Sequence, residues 1–298
     1  MKLRRSLIVI AALCGGLVAC AFGLDGYTGG GGANDAGAGG AVSGDGGGSP
    51  ATDAPVELLD ATIDSAFTSC PSGRGPKMVL IDDGKGTRFC IDSTEVTNAE
   101  YAAFLSTSPK TSGQAAVCAG NATFSPSDTG SFENIAMQRY PVANVDWCDA
   151  RAFCEWSGKR LCGHIGGGSV PTQDARTDPL ASQFMYVCTK ASTQVYSYGT
   201  SYIPAICNAN GGGGQPFPAG MHGGCEGGFP GVFDLVGNVG EWTDDCESET
   251  GASDSCPVNS SSFRYVDGDP RIAQRCDHFD PRRRGDTFAD LGFRCCFH

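Results

Sequence analysis

The segment Phe233-Asp234-Leu235-Val236-Gly237-Asn238-Val239-Gly240-Glu241-Trp242 decides the fold of this 298-residue chain. A second segment, Leu291-Gly292-Phe293-Arg294-Cys295, follows about fifty residues later. A Gly-Asn-Val-x-Glu-Trp turn followed at this spacing by Gly-Phe-Arg-Cys is a rare combination. The two segments therefore carry more information on the fold than the composition of the chain does.

The charge of the chain excludes one class of partner. The net charge is −12 at pH 7, and an acidic surface repels the phosphate backbone of DNA and RNA. We therefore expect no nucleic-acid binding. The dense basic run Arg282-Arg283-Arg284 is expected either to be a solvated loop or to pair with carboxylates inside the fold.

The N-terminus has the pattern of a bacterial lipoprotein signal. Positive side chains precede an apolar run from Leu7 to Leu13, which is too short to span a bilayer. Leu17-Val18-Ala19-Cys20 then matches a lipobox, in which small residues precede a cysteine that is lipidated. We predict a signal peptide over residues 1–19 and lipidation of Cys20. The alternative is an ordinary secretory signal with a chance cysteine.

The residues after Cys20 indicate where the protein resides. Ala21, rather than Asp, follows the lipidated position, and by resemblance to known lipoprotein sorting this favours the outer membrane. Thirteen of residues 21–50 are glycine, so the segment cannot bury enough apolar surface to offset the entropy of ordering it. We predict that residues 20–69 are the lipidated cysteine and a flexible tether, which anchors the protein in the bacterial cell envelope.

Cysteine usage agrees with export. The chain has sixteen cysteines, of which Cys14 leaves with the signal and Cys20 carries lipid, so fourteen (16 − 2) remain. An even number in an oxidising compartment predicts up to seven disulfides. A zinc site is the alternative, but there is no Cys-x-x-Cys pair and histidine is scarce. The fourteen candidates are Cys70, Cys90, Cys118, Cys148, Cys154, Cys162, Cys188, Cys207, Cys225, Cys246, Cys256, Cys276, Cys295 and Cys296.

Local patterns predict two strands and three helices from residue 70 onward. Apolar runs bounded by turn residues predict strands at Met78–Ile81 and Arg88–Asp92, a hairpin that brings Cys70 near Cys90. A capping box at Thr97 predicts a helix with Tyr101, Phe104 and Leu105 facing the core. A second helix is expected after Asp146, ending at Gly158, and a third from Asp178-Pro179 to Cys188. Cys207 to Cys225 and Cys246 to Cys256 are short spacings that could staple loops.

Four ordered segments resemble the sulfatase-modifying-factor family, whose type members are the formylglycine-generating enzymes. They are residues 89–101, with Asp-x-x-Glu-Val-Thr-Asn-x-x-Tyr; residues 140–161, with Pro-Val-x-x-Val-x-Trp and Gly-Lys-Arg-Leu; and the two segments quoted first. The resemblance covers about residues 70–298. It implies an α+β fold related to C-type lectins, loop-rich and stapled by disulfides. It also implies the pairs Cys154–Cys295 and Cys188–Cys276, while Cys296 leaves open which terminal cysteine bonds Cys154.

The catalytic cysteines of the family do not carry over. The active enzymes use two cysteines that bind Cu(I), a soft ion that prefers sulfur. Their positions fall here at Val266 and Arg271. A branch that uses non-haem iron needs a clustered His-x-x-x-Glu-x-His motif, which the scattered histidines do not form. We therefore expect neither copper nor iron, and we identify no catalytic residue.

The resemblance does imply a calcium site in the turn. Its ligands would be the Asp234 side chain, the Gly237 and Val239 carbonyls and the Glu241 carboxylate, a donor set that suits a hard cation. The alternative is a structural turn whose carboxylates accept backbone hydrogen bonds. The family usually has Trp where this chain has Gly240, so we expect that a bulky wall near the ancestral active site has been removed.

Three functions follow from these patterns. The first hypothesis is a tethered extracytoplasmic lipoprotein whose domain is a non-catalytic binding or structural module, with an unknown protein or glycan ligand. The second is an enzyme, either a formylglycine-generating oxidoreductase or a related oxidase acting on protein cysteine. Its support is the resemblance alone. The third is calcium-dependent glycan binding. The missing cysteine pair favours the first hypothesis.

Overall fold

The computed structural model describes residues 67–209, 214–259, 262–263 and 269–298. The predicted signal peptide, Cys20 and the tether as far as residue 66 lie outside the described residues. Phe67, which lies before the expected domain boundary at Cys70, packs its ring edge-on against Phe297 at a centroid distance of 5.9 Å. Within the described residues, no helix combines the length and apolar character that spanning a bilayer requires.

The structure contains short strands, short helices and long connections. In chain order the strands are β1 (Met78–Asp82), β2 (Arg88–Asp92), β3 (Arg160–Leu161), β4 (Gly240–Trp242), β5 (Val258–Asn259), β6 (Phe279–Asp280), β7 (Leu291–Phe293) and β8 (Cys295–Phe297). The α-helices are α1 (Asn98–Ser106), α2 (Trp147–Trp156), α3 (Gln173–Thr177), α4 (Gln183–Cys188) and α5 (Pro270–Ala273). Three-residue 3₁₀ turns occur at Ala116–Cys118, Ile135–Met137 and Gly223–Cys225.

The described strands form two four-stranded sheets. The first has the order β1-β2-β8-β3 and is antiparallel throughout. The second has the order β6-β5-β4-β7. In it, β4 and β7 are parallel, with Glu241 opposite Gly292. The two segments that decide the fold are therefore neighbouring strands, which explains why they occur together in the sequence.

The first two helices begin at capping boxes, as predicted. The Thr97 side chain accepts from the Glu100 amide, and Glu100 Oε2 accepts from the Thr97 amide at 2.8 Å. Asp146 and Asp149 make the same reciprocal pair at the start of α2. These bonds satisfy amides that have no partner within the helix. Gly158 follows the end of α2 with φ +75°, the left-handed conformation that glycine adopts most readily.

The predicted start of the third helix was wrong. α4 begins at Gln183, with Ser182 as its N-cap, and not at Asp178-Pro179. The Asp178 side chain instead accepts from the Leu180 amide at 2.8 Å, which closes a turn. Asp178 itself is the C-cap of α3. A side chain suited to capping can close a local turn equally well, so its presence does not place the helix start.

Two groups of buried side chains form the core. The first contains an aromatic cluster in which Tyr101 of α1 stacks on Phe153 of α2 at 5.7 Å, and both rings contact Phe293 of β7. The second packs the β1–β2 hairpin against α4 and the residues before β4. Burying aromatic side chains of this size stabilises the fold by about 1.5–3 kcal/mol each.

All fourteen cysteines from Cys70 onward are in disulfides. Cys295 and Cys296 are adjacent on β8, so their side chains point to opposite faces of the sheet. This geometry resolves the ambiguity at the C-terminus, because Cys295 bonds to Cys154 in α2 and Cys296 bonds to Cys162. The other pairs are Cys70–Cys90, Cys118–Cys148, Cys188–Cys276, Cys207–Cys225 and Cys246–Cys256. The prediction of a loop-rich, disulfide-stapled α+β fold is confirmed.

Within the basic run Arg282-Arg283-Arg284, Arg284 pairs with a carboxylate inside the fold, which was one of the two expected environments. Arg284 is fully buried. Its guanidinium lies 4.3 Å from the centre of the Trp147 ring and 3.2 Å from Asp254 Oδ2. A buried guanidinium requires such a partner, because an unpaired charge in the interior is costly. Arg282 lies at the surface, over the Phe288 ring.

Candidate functional site

The turn before β4 has an unusual backbone. Asp234, Gly237 and Asn238 have φ values of +57°, +84° and +59°, in the left-handed region that Gly, Asn and Asp tolerate best. At Gly237 a Cβ atom would also lie 3.0 Å from the Asn208 carbonyl oxygen. The residue types of this turn are therefore required by its conformation, independently of any ligand.

A buried ion pair joins the two motif segments. Arg294 Nε donates to Glu241 Oε2 at 2.7 Å, and Arg294 Nη2 donates to Glu241 Oε1 at 2.6 Å. Both side chains are about 1–2% exposed. Burial alone would lower the pKa of Arg294, but the Glu241 carboxylate outweighs it and the pKa is raised. Arg294 also donates to the Phe233 carbonyl at 2.9 Å, so it closes the turn at its first residue as well.

Two further carboxyl groups surround this pair. Glu95 Oε1 accepts from Asn238 Nδ2 at 3.0 Å, whereas Glu95 Oε2 is buried and has no partner among the described residues. Burial, together with the charge of Asp234, raises the pKa of Glu95 well above its ordinary value. Burial also raises the pKa of Asp234 to about 6, although the Gly220 amide donates to its Oδ2 at 2.7 Å. Three carboxyl groups therefore share one guanidinium.

These contacts bear on the predicted calcium ligands. Asp234 and Glu241 do lie in one buried turn, and a buried carboxyl oxygen without a partner suits a hard cation. Both oxygens of Glu241, however, already accept from Arg294. In the part of the chain that the structure describes, no group of three or more His, Cys, Asp or Glu side chains could hold a metal ion. Calcium at Asp234, Gly237, Val239 and Glu241 stays a prediction.

Val266 and Arg271 occupy the two positions at which the family has its catalytic cysteines. Val266 lies outside the described residues. Arg271 is on α5, where its side chain is 68% exposed and pairs with Asp269 at 2.6 Å. Because the described cysteines are all bonded in pairs, the described domain offers no thiolate to a soft metal ion such as Cu(I). The donor set of the family's copper site is therefore missing from these residues.

The structure gives a packing reason for Gly240, where a bulky wall was expected to have been removed. A Cβ atom at this position would lie 2.9 Å from the Asn259 carbonyl oxygen, closer than side chains normally approach. Glu241, the next residue, is paired with Asn259 across β4 and β5. Glycine here lets the two strands approach each other, so the space is filled by the backbone of β5.

Three residues of this site were not predicted from the sequence. Glu95, Asn238 and Arg294 all lie inside the family motifs, but their sequence patterns did not assign them to the site. Arg294 is 53 residues from Glu241 in the sequence, and Glu95 is 143 residues from Asn238. A charged residue inside an otherwise apolar strand motif was the available signal, since such a residue needs a buried partner.

The fold and the site together define a class of domain. It is a disulfide-stapled α+β domain organised around a buried acidic turn that an arginine closes. Comparison with known families agrees, because residues 82–298 match the model of the sulfatase-modifying factor enzyme 1-like domain. The chain belongs to this family.

Two curated relatives match part of this chain, and each match spans about half of the relative's length. The chain is 28% identical over 186 residues to the inactive C-alpha-formylglycine-generating enzyme 2 of Bos taurus, which is 52% of this chain and 50% of that protein. It is also 28% identical over 164 residues to the protein of the same name from Mus musculus, 48% of whose length is covered. The chain thus spans about half the length of the curated relatives it matches.

Solved structures provide a further, weaker likeness. The chain is similar to the crystal structure of CarF, with 19% sequence identity and a TM-score of 0.44. The alignment covers 76% of this chain and 95% of the CarF chain. The structure of PvdO from Pseudomonas aeruginosa is also 19% identical, covers 70% of this chain and 80% of that chain, and has a TM-score of 0.42.

Proposed function

We propose that this protein is a non-catalytic member of its family, a binding or structural module presented outside the cytoplasm. The observation that carries the proposal is the pairing of all fourteen cysteines of the described domain in disulfides. Oxidation of a protein cysteine by the family's copper chemistry needs two free thiolates, and Val266 and Arg271 provide none. The word "inactive" in the names of the two curated relatives supports the same proposal.

The proposed location is the bacterial cell envelope, with a lipid on Cys20 that anchors the protein in the outer membrane. Two observations support export. The lipobox precedes Cys20, and seven disulfides are typical of an oxidising compartment. The tether up to residue 69 would hold the domain clear of the membrane. Its partners would then be the membrane, through the lipid, and a protein or glycan ligand. Nucleic acid is not among them.

Calcium is the proposed cofactor of the acidic turn. Three carboxyl groups and one guanidinium leave an excess of negative charge in a buried place, and a hard cation would offset it. Asp234 and Glu241 would contribute carboxylate oxygens, and Gly237 and Val239 their carbonyls. The role of the ion would be structural, since it would hold the turn in its left-handed conformation.

An aldehyde assay tests the absence of catalysis. The purified protein is incubated with Cu(I), oxygen and a peptide that contains Cys-x-Pro-x-Arg, beside an active formylglycine-generating enzyme as positive control. We expect aldehyde from the control alone, and no free thiol in the native domain when thiols are counted with a chromogenic reagent. Aldehyde formed by this protein would overturn the proposal.

A labelling experiment tests the anchor. The gene is expressed in a bacterium supplied with a radiolabelled or alkyne-tagged fatty acid, and membranes are separated by density. We expect label in the outer-membrane fraction for the wild type and none for Cys20→Ala. Equal release of both proteins into the soluble periplasm would contradict the lipid anchor while leaving the non-catalytic domain unaffected.

A further inference from the structure

A pocket beside the acidic turn has no assigned role. One of its lining residues, Glu226, pairs with Phe233 at the start of that turn. Its volume is about 360 Å³, which is within the range of sites for small ligands. The lining includes Lys190, Gln194, Ser197, Tyr198 and Glu226. None of these residues belongs to the motifs that identify the family, so neither the fold nor the proposed function explains them.

Two of the residues that line the pocket have buried polar atoms without partners. Ser197 is fully buried, and its Oγ makes no hydrogen bond in the described structure. The side-chain oxygen of Gln194 is buried and is also without a partner. A buried polar group left unpaired costs about 1–3 kcal/mol. Two such groups beside one pocket indicate a ligand that brings hydrogen-bond donors and acceptors of its own.

One wall of the pocket is a strained turn. Lys190, Ala191 and Ser192 have φ values of +48°, +51° and +70°, and three consecutive left-handed residues without glycine are rare. Thr189 holds the turn, because its Oγ1 accepts from the Ser192 amide at 3.1 Å and its carbonyl accepts from the Gln194 amide at 2.8 Å. Backbone strain of this kind persists where the surrounding structure fixes it and is concentrated at functional sites.

The opposite wall is a glycine-rich loop that fits closely to this turn. A Cβ atom at Gly228 would lie 2.5 Å from Lys190 Cβ, so only glycine permits the contact. At Gly223, in contrast, a Cβ atom would meet nothing within 4 Å. The loop is therefore packed at one end and open at the other, and a side chain added at Gly223 would occupy space without straining the fold.

The remaining groups indicate the chemistry of the ligand. Lys190 and Glu226 bring opposite charges, which disfavours a ligand of high net charge. Tyr198 provides an aromatic surface, and its hydroxyl donates to Gln274 Oε1 at 3.2 Å while its ring contributes to a stack with Tyr196 at 5.4 Å. A sugar ring combines hydroxyl groups with an apolar C–H face and is neutral. We propose that this pocket binds a neutral pyranose, either as a free sugar or as the end of a glycan.

This inference rests on the proposed binding role and deepens it by naming the ligand class. The two can fail separately. Aldehyde formation would overturn the non-catalytic role and leave the pocket untouched, whereas absence of sugar binding would overturn the inference and leave the non-catalytic role standing. Because the site does not include Asp234 or Glu241, the binding is expected to be independent of calcium.

Titration of the exported protein, with its tether, tests the inference. Glucose, galactose, mannose and N-acetylglucosamine are added by calorimetry and by saturation-transfer NMR in the presence of EDTA, each as the free sugar and as its methyl glycoside. At least one is expected to bind. Binding of the methyl glycoside would indicate a chain-linked sugar, and binding of the free form alone a free one. Inorganic phosphate, added separately, is expected neither to bind nor to compete.

Two variants locate the binding. Ser197→Ala, which removes one hydrogen-bonding group, is expected to weaken sugar binding by about three- to tenfold. Gly223→Leu is expected to abolish it, and Ser125→Ala, at an exposed position outside the pocket, to leave it unchanged. Thermal unfolding of each variant shows that the fold is retained. The inference is overturned if no sugar binds, if both pocket variants bind as the wild type does, or if phosphate binds in place of the sugars.

Discussion

Two segments that active members of the family use together have different environments in this protein. The turn that ends at β4 is buried, and Glu241 is bonded through both oxygens to Arg294. The segment at α5 carries Arg271, which is largely exposed and pairs with a residue only two positions away. Both segments are anchored. The turn is bonded to Arg294, whose neighbour Cys295 is bonded to Cys154, and the α5 segment is followed by Cys276, which is bonded to Cys188.

The difference between the segments is therefore one of burial and not of attachment. The turn is needed by the core, because removing either Arg294 or Glu241 would leave the other one buried without its charged partner. The α5 segment bears surface charges at a position where the family places chemistry. This contrast is the one expected under the proposed non-catalytic role, in which the scaffold persists without the catalytic chemistry.

Replacing Arg294 and Arg271 in turn should give the largest difference in stability between the two segments. Arg294→Met removes the guanidinium that is paired with Glu241 in the buried acidic cluster and is expected to lower the free energy of unfolding by about 3–5 kcal/mol. Arg271→Met removes an exposed pair and is expected to cost about 0.5 kcal/mol or less. Urea denaturation at pH 7 measures both, and equal losses would show that burial does not distinguish the segments.

Removal of calcium should affect the turn alone. If the ion binds there at one hundred times its Kd, it stabilises the fold by about 2.7 kcal/mol, which for a domain of this size corresponds to a Tm fall of about 5–10 °C on chelation. The measurement is thermal unfolding with EDTA and with added CaCl₂, using Mg²⁺ as the control. A Tm that is insensitive to EDTA would contradict the proposed site, as would an equal response of an Asp234→Asn variant.

The pH dependence of stability should reveal Asp234. Burial raises its pKa from the ordinary 3.8 to about 6. Between these values the unfolded chain releases the proton and the folded protein retains it, so this group's contribution is fully present below about pH 4 and is lost as the pH rises through 6. In EDTA, Asp234→Asn should therefore gain on the order of 2 kcal/mol relative to the wild type between pH 4 and pH 7. Urea unfolding at four pH values measures this, and parallel curves would contradict it.

A smaller effect is expected at Gly240. Gly240→Ala places a Cβ atom against the Asn259 carbonyl at 2.9 Å and is expected to cost about 1–2 kcal/mol, because two paired strands must move apart. Gly223→Ala, where a Cβ atom meets nothing within 4 Å, is the matched control and should change stability little. If both variants are as stable as the wild type, the close approach of β4 and β5 does not require glycine.

Local signals predicted the regular elements well where one interaction dominates. The capping boxes at Thr97 and Asp146 placed α1 and α2 correctly, because each box is completed within four residues of the chain. The hairpin of β1 and β2 was predicted from short apolar runs bounded by turn residues, which are also local signals. Asp178 shows the limit of such signals, since its side chain closes a turn in place of starting a helix and local sequence does not separate the two outcomes.

The family resemblance predicted more than local patterns did. It implied the pairs Cys154–Cys295 and Cys188–Cys276, and the structure contains both. It left the partner of Cys296 open, because adjacent cysteines look equivalent in a sequence. Their difference arises only when β8 pairs with its neighbours and directs one side chain to each face of the sheet. The opposite lesson comes from Gly240, where the same resemblance suggested a missing wall and the strand geometry shows a close contact.

The sequence by itself determined the family, the number of cysteines and the absence of a cysteine pair at Val266 and Arg271, since each of these depends only on which residues occur and in what order. Tertiary structure alone decided that Arg294 pairs with Glu241, that Glu95 and Asp234 share their buried environment, and that Ser197 lies unpartnered beside a pocket. Those contacts join residues far apart in the chain, and the free energy of a buried charge or hydroxyl depends on which groups folding brings within hydrogen-bond distance of it.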